Sequence, residues 1–400
     1  MSSYSAAPVP IVIAGAGIGG LAAAIALRKA GHEVVLLEKA SQLAEVGAGL
    51  QLSPNACAAL KQLGVLEDLE PAVYAPENLR IWSGINGEQL ARVELGSFIK
   101  ERHGNPFWVI HRSDLQQALL KKVQATDGIT LHLNSDVLDI KSSQYDGLNC
   151  VYQNAETTRN LMCKALIGAD GVWSKTRLLV ANHQNAHFSG QVAYRATVPM
   201  NQVPEKFRRD SGLWFQKESH LVHYPIRAGT ELNIVALASE VWQNESWSTP
   251  ADKEALLHVF RDWPAEIRNL LATPQSWLKW ALCSVDASGP WSHGHVALLG
   301  DSAHAMLPYM AQGAAMAIED AAILARHLPH GVENIPAALR AYERHRKPRV
   351  VNIQNVAAQN ARTFHFSGPL AYARNMILRM SKPQTLAARF DAIYDWTPDY

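Results

Sequence analysis

One glycine-rich turn constrains this chain more than any other feature. Residues 9–14 form a β-branched, apolar run, and Gly15-Ala-Gly17-Ile-Gly-Gly20 follows it directly. An alanine- and leucine-rich stretch, 21–30, comes next and stops at Gly31, and 33–37 reads as a second short buried strand. Strand, turn, helix and strand in so few residues make a βαβ unit with parallel strands and a right-handed crossover. Gly15 permits the tight turn, Gly17 leaves no side chain between backbone and a pyrophosphate, and Gly20 lets helix and strand approach closely. The unsatisfied amides at the helix start then face negative phosphates. Glu38, with Lys39 beside it, ends the second strand, where a carboxylate accepts from ribose hydroxyls and repels a 2′-phosphate. These features specify a dinucleotide and leave NAD and FAD both open.

Composition narrows the remaining classes. The 400 residues, 48% hydrophobic, suffice for one large core or two cores sharing an interface. With 37 basic against 36 acidic residues there is no global field to hold a polyanion, so nucleic acid is not expected as a partner. Cys57, Cys150, Cys163 and Cys283 are scattered without a CxxC pair, so no metal site is expected and isolated thiols in a reducing compartment are. The first ten residues lack the pattern of a signal peptide, and no apolar run approaches the roughly 18 residues of a membrane span. The expectation is a cytoplasmic protein with no membrane association.

Helices are expected over 55–63, from Asp114 with Ser113 as cap, and over 314–327; strands over 107–110, 130–133, 137–141, 148–152, 163–168 and 296–299. Between about 190 and 284 the pattern alternates more openly, as in 213–215, 220–226 and 232–237, which suits an antiparallel sheet. The fold class is therefore mixed α/β, with the sheet domain inserted into a Rossmann-like one. The expected division is 9–185 for the first part of the nucleotide domain, with inserted β segments; 186–285 for a substrate-binding antiparallel sheet; 286–364 for the return of the nucleotide domain; and 365–400 for a C-terminal helical segment. Residues 337–364 look helical, with Pro348 expected to kink or split them. Phe390, Ile393, Tyr394 and Trp396 are too apolar for a free tail and should pack against the body or a partner subunit, a homodimer being one way to cover them.

Two further motifs carry a family resemblance. Gly168-Ala-Asp170-Gly171-Val-Trp-Ser174-Lys-Thr-Arg177 looks like a DG motif, and Gly300-Asp301-Ser-Ala-His304-Ala-Met-Leu-Pro308-Tyr-Met-Ala-Gln312-Gly313, followed by Glu319-Asp320, looks like a GD motif. With the Gly15 turn and in this order, they resemble the single-component flavoprotein aromatic hydroxylases across nearly the whole chain. The resemblance implies a 4-hydroxybenzoate hydroxylase-like fold, non-covalent FAD, NADH or NADPH as transient donor and O2 as co-substrate. It implies that Asp301 bonds the ribityl chain, that Pro308, Gln312 and Gly313 lie beside the pyrimidine end of the flavin, and that Arg112 reaches the FAD linker. A helix start there also suits the negative charge of reduced flavin. Asp170 is implied to serve FAD or the nicotinamide nucleotide, and is equally a turn-former before Gly171. The segment from Glu45 through Gly47, Gly49, Leu50 and Gln51 to Asn55 is similar to the loop whose backbone meets the flavin, with Gln51 between flavin and substrate, and Val137 matches a position near the adenine.

By the same resemblance, oxygen forms a C4a-hydroperoxyflavin that hydroxylates an activated ring, chemistry belonging mainly to the cofactor. A phenolate reacts far better than a phenol, which gives a proton-accepting group a purpose. His220-Leu-Val-His223-Tyr224-Pro225 is the candidate cluster. On a strand His220 and Tyr224 share a face and His223 takes the other, which favours His220 and Tyr224 as catalytic, substrate-facing residues and His223 as structure. Arg195 either meets a substrate carboxylate or supports the sheet. His304 reads as structural. Pro308, also substrate-facing, stands where 3-hydroxybenzoate 6-hydroxylases tend to carry glutamine. The resulting expectation is a small phenolic or heteroaromatic acid as substrate, salicylate first, with 3-hydroxybenzoate and hydroxynicotinate or quinolone hydroxylation as alternatives within the class and a flavoprotein oxidase or non-enzymatic flavin protein outside it.

Overall fold

A computed structural model describes residues 9–43, 49–142, 147–181, 186–242 and 248–398. Glu45 and Gly47 lie outside the described residues. The glycine turn behaves as its sequence requires. Strand Ile11–Ala14 runs into helix Ile18–Lys29 and pairs in parallel with Val34–Leu37 on one side and Ala165–Gly168 on the other. Gly15 has φ +100°, and a Cβ at Gly20 would stand 1.9 Å from the Gly15 carbonyl oxygen. These strands belong to a six-stranded sheet ordered Ser292–His293, Val296–Leu298, Ala165–Gly168, Ile11–Ala14, Val34–Leu37, Ile129–His132, parallel except at the Ser292–His293 edge. Helices Ile18–Lys29 and Gly313–His327 pack together on it, and a three-stranded antiparallel sheet, Ser135–Ser142 with Leu148–Asn154 and Thr157–Cys163, packs beside Val12, Leu37 and Leu166.

The second sheet has eight strands in the order Ser248–Ala251, Trp277–Ser284, His187–Pro199, Glu231–Ser239, Ser219–Ile226, Ser211–Gln216, Asn78–Ser83, Gln89–Glu94. Two of these come from well before residue 186, and Ser211–Gln216 pairs with Asn78–Ser83 in parallel. The sheet is thus wider than the segment 186–285 and is not wholly antiparallel. Its far face packs on helices Lys253–Val259 and Ala265–Ala272 through Leu256, Phe260, Ile267, Leu270 and the indole of Trp214. Each fully buried leucine or isoleucine there contributes roughly 2 kcal/mol. The near face turns toward the nucleotide domain, which makes the cleft.

Two local expectations change. Helix Arg112–Gln124 is capped by His111, whose Nδ1 accepts from the Ser113 amide, because the ring reaches two residues ahead while Ser113 already lies in the first turn. Helix Ile335–Phe364 runs unbroken through Pro348. Buried Tyr342, Val350 and Ile353, and the ion pairs of Arg346 and Arg349 with Glu319, hold both sides of the proline to the same core and outweigh its missing donor. The tail packs on the body: Tyr394 stacks on Phe390 and meets Phe107, and Arg102 donates to Asp391. No helix among the described residues is long and apolar enough to cross a membrane.

Candidate active site

The adenosine end is a cavity of about 210 Å³ lined by Gly15, Gly17, Glu38, Lys39, Val137, Asp170 and Trp173, among others. A Cβ on Gly17 would meet nothing within 4 Å, so the turn opens onto this cavity at the residue expected to approach a pyrophosphate. Gly17 caps helix Ile18–Lys29 without a side-chain hydrogen bond. Glu38 accepts from the amides of Ala16 and Ala40 at 2.8 and 2.9 Å, which fixes its carboxylate on the cavity wall. Asp170 is the turn-former that its sequence allowed: it accepts from the Ser174 hydroxyl and from the Thr176 amide and hydroxyl. Arg177, buried, donates to the carbonyls of Ser302 and Val172 and so ties the DG segment to the GD segment.

At the other end, Asp301 opens helix Asp301–His304 with its side chain exposed and no hydrogen bond or ion pair to another described residue. Helix Gly313–His327 begins with no side-chain cap, and a Cβ at Gly313 would meet nothing within 4 Å. Its first amides are therefore open to a ligand. The Gln312 side chain donates to the Ser53 hydroxyl and accepts from Asn55, bracing the start of helix Pro54–Leu63 against helix Gly313–His327. Arg112 opposes the charge of the buried Arg195, a smaller influence on it than burial itself. From Val137 to Gly313 the open turn, the uncommitted Asp301 and the uncapped helix start fit an extended dinucleotide.

The parity expected for the Ser219–Ile226 strand holds. His220, Val222 and Tyr224 pair with Leu237, Val235 and Asn233 on the cleft side, and Ala193 and Arg195 continue that face on the next strand. Val235, Leu237, Ala193 and Leu282 form an apolar floor against which Val222 and Leu307 pack. At one end stands Tyr224, against which Gly49 is pressed so tightly that a Cβ would lie 2.4 Å from its ring; Asn233 accepts from the Gly49 amide at 2.8 Å. Alternation puts Gln51 on the same side of its strand as Gly49, facing this sheet. Burial pushes the Tyr224 hydroxyl well above the phenol range, Arg195 offsetting part of the effect. Arg195 lies over the Trp280 ring at 4.8 Å, and burial lowers its guanidinium to about 10. A cavity of about 360 Å³ meets the cleft face at Arg195 and Thr197 and runs on past Pro199, Gln202 and Ser276.

At the other end of the floor stands His220, its Nδ1 3.0 Å from Nε2 of His365. His365 Nδ1 meets the Gln191 amide nitrogen at 3.3 Å, and Tyr309 donates to the Gln191 oxygen. Tyr309 follows Pro308 in the short helix Pro308–Met310, its ring centroid 4.9 Å from that of His220. Burial, with His365 second, holds His220 well below the usual histidine range. His223 points the other way, against Phe207, with both ring nitrogens buried and unpartnered among the described residues. His304 is structural: it bonds Asp320, which Arg346 also holds, and although burial opposes ionisation, His304 and Arg346 keep the Asp320 carboxyl at about 2. Asn233, His365, Gln191 and Tyr309 carry no local sequence signal for this site, apart from Tyr309's place within the GD segment.

Comparisons with known proteins agree with this geometry. The FAD binding domain family matches residues 8–357. The chain is 35% identical over 397 residues to the 3-hydroxybenzoate 6-hydroxylase of Polaromonas naphthalenivorans, covering 98% of each chain. It is 34% identical over 370 residues to 3-hydroxybenzoate 6-hydroxylase 1 of Aquipseudomonas alcaligenes, covering 92% of this chain and 93% of that one. Its fold superposes on a salicylate hydroxylase substrate complex with a TM-score of 0.82 at 24% identity, covering 98% of this chain and 96% of that one. The chain belongs to the single-component FAD-dependent aromatic hydroxylases.

Proposed function

We propose that this monooxygenase hydroxylates the ring of a hydroxybenzoate, with NADH or NADPH as reductant and O2 as the oxygen source. The observation that carries the reading is the cleft floor: an apolar patch with His220 at one end and Tyr224, Asn233 and Arg195 at the other. An aromatic acid needs that division, an apolar slot for the ring and polar groups for its oxygens. The chemistry supplied by bound FAD is the acceptance of a hydride from reduced nicotinamide and the activation of O2, one oxygen atom going to the ring and one to water.

The protein's own part is positioning. Gly15, Gly17 and the Ile18–Lys29 helix start receive the pyrophosphate, with Glu38 and Val137 on the adenosine side and Asp301 toward the ribityl chain. The Gly313 and Ala314 amides favour negative charge at the pyrimidine end. Leu307 covers the apolar floor and excludes water, while Arg195 over Trp280 supplies positive charge for a carboxylate.

Two substrates compete for this cleft. Pro308 supports salicylate, with catechol and carbon dioxide as products. The curated relatives support 3-hydroxybenzoate, with 2,5-dihydroxybenzoate as product. The test is a screen of aromatic acids for accelerated NADH and NADPH oxidation by the yellow holoprotein, with products identified by mass and labelled O2 tracing the inserted atom. Flavin reduction without labelled product would assign the chain to the oxidases instead. Replacing His220 with leucine is expected to cut coupled hydroxylation at least about tenfold and raise peroxide release while FAD stays bound. Unchanged coupling would remove His220 from the site.

A further inference from the structure

Tyr309, Gln191, His365 and His220 form one hydrogen-bonded chain that ends at the substrate cleft, and each link has a direction. The Tyr309 hydroxyl donates to Gln191 Oε1. The reverse amide orientation would leave a buried hydroxyl hydrogen without an acceptor, since Tyr309 is 5% exposed and its oxygen has no other described partner. Gln191 therefore turns its NH2 toward His365 Nδ1, 3.3 Å away, and an NH2 only donates. A neutral His365 that accepts at Nδ1 carries its hydrogen on Nε2, and this nitrogen lies 3.0 Å from His220 Nδ1. His220 then accepts at Nδ1 and carries its own hydrogen on Nε2, the nitrogen with no protein partner among the described residues.

We propose that His365 is a positioning residue whose bond to His220, oriented by Gln191 and Tyr309, makes His220 a hydrogen-bond donor to an anionic oxygen of the aromatic substrate rather than the acceptor of its proton.

The electrostatics agree. Burial holds His365 at about 4, Arg374 adding to the effect and Glu218 opposing it, and burial and His365 hold His220 lower than an ordinary histidine. Both rings are neutral near pH 7, as the alternation of donors and acceptors requires. A weakly basic imidazole is a poor acceptor for a proton from a phenol of pKa about 10, but its N–H is a good donor to a phenolate or carboxylate. Phe364 and Tyr309 pack against the ring of His220, which is 2% exposed, so its bond forms with little competing water.

The inference rests on the placement of His220 in the substrate cleft argued above, and its test separates the two. Ring 15N shifts of the substrate-free, histidine-labelled holoprotein, assigned by loss of signal in H220Q, report which nitrogen carries hydrogen. The expected result is His220 protonated at Nε2. In Q191E the new carboxylate still accepts from Tyr309 but also accepts from His365 Nδ1, which reverses the two histidine links and moves the His220 hydrogen to Nδ1. Affinity for the aromatic anion should fall at least about tenfold in Q191E. H365Q, whose amide still donates to His220 Nδ1, should keep the wild-type tautomer, whereas H365F should not. Should Q191E fail to hold FAD, Q191L removes the directing amide without adding charge and should give mixed tautomers. A wild-type His220 protonated at Nδ1, or a folded Gln191 variant with the tautomer unchanged, overturns the inference. Failure of every aromatic acid to bind, with the tautomer as expected, overturns the substrate reading alone.

Discussion

Two glycines three residues apart should fail for different reasons when each is changed to alanine. At Gly20 a Cβ would stand 1.9 Å from the Gly15 carbonyl oxygen and 3.0 Å from its carbon, both backbone atoms that cannot swing aside. Relieving the contact means moving helix Ile18–Lys29 from its strand by about 1 Å, at a cost of about 2–3 kcal/mol in a close-packed interior. With about 2.1 cal/mol/K of unfolding entropy per residue, a 400-residue chain loses about 2–4 °C of melting temperature for that cost. At Gly17 the backbone has φ −71°, ordinary for any residue, and a Cβ meets no atom within 4 Å. The apo protein should therefore lose no more than about 1 kcal/mol, the difference between glycine and alanine as a helix cap. The methyl group stands where a pyrophosphate must approach the backbone, and losing one charge-assisted hydrogen bond weakens FAD binding about 10- to 150-fold. The assay is a thermal melt of each apo protein beside a titration with FAD. Gly17→Ala should melt normally and bind poorly; Gly20→Ala should do both badly. Normal FAD affinity in Gly17→Ala, or an apo melt of Gly20→Ala equal to wild type, would refute the reasoning.

Arg346, 1% exposed, forks between Glu319 and Asp320 at 2.7 Å each, so Arg346→Met leaves Glu319 to Arg349 and Asp320 to His304 alone and should cost up to about 3–5 kcal/mol in thermal or urea unfolding. His223 is held at about 3 by burial, with Lys206 adding and Asp210 opposing, whereas the unfolded chain's histidine titrates near 6.5. The unfolded state thus binds the extra proton, and wild-type stability falls as pH drops from about 6.5 toward 3, by up to about 1.4 kcal/mol per pH unit. His220 and His365 add to the same slope, so His223→Leu should lessen it by up to about 1.4 kcal/mol per pH unit in urea midpoints measured at successive pH values and leave hydroxylation intact; an unchanged slope would mean that His223 is not the neutral, unpartnered ring its surroundings indicate.

The sequence by itself determined the features whose physics acts over a few neighbouring residues. The Gly15 turn and Glu38 at the end of the next strand are readable because turn and phosphate chemistry demand particular residues at fixed offsets, whereas Asp301 and Gly313 are reached through the family resemblance of the GD segment. Strand parity likewise separated His220 and Tyr224 from His223 before any tertiary contact was known. Tertiary structure alone decided what these groups meet. His365 reaches His220 across 145 residues, Gln191 reaches Tyr309 across 118, and Asn233 reaches Gly49 across 184. No local period encodes such pairs, because folding, not chain neighbourhood, brings them together. The same holds where local preference was overruled: Asn78–Ser83 joins the distant sheet in parallel, and the 30-residue helix continues through Pro348 because its buried ion pairs with Glu319 and Asp320 bind both halves to one core.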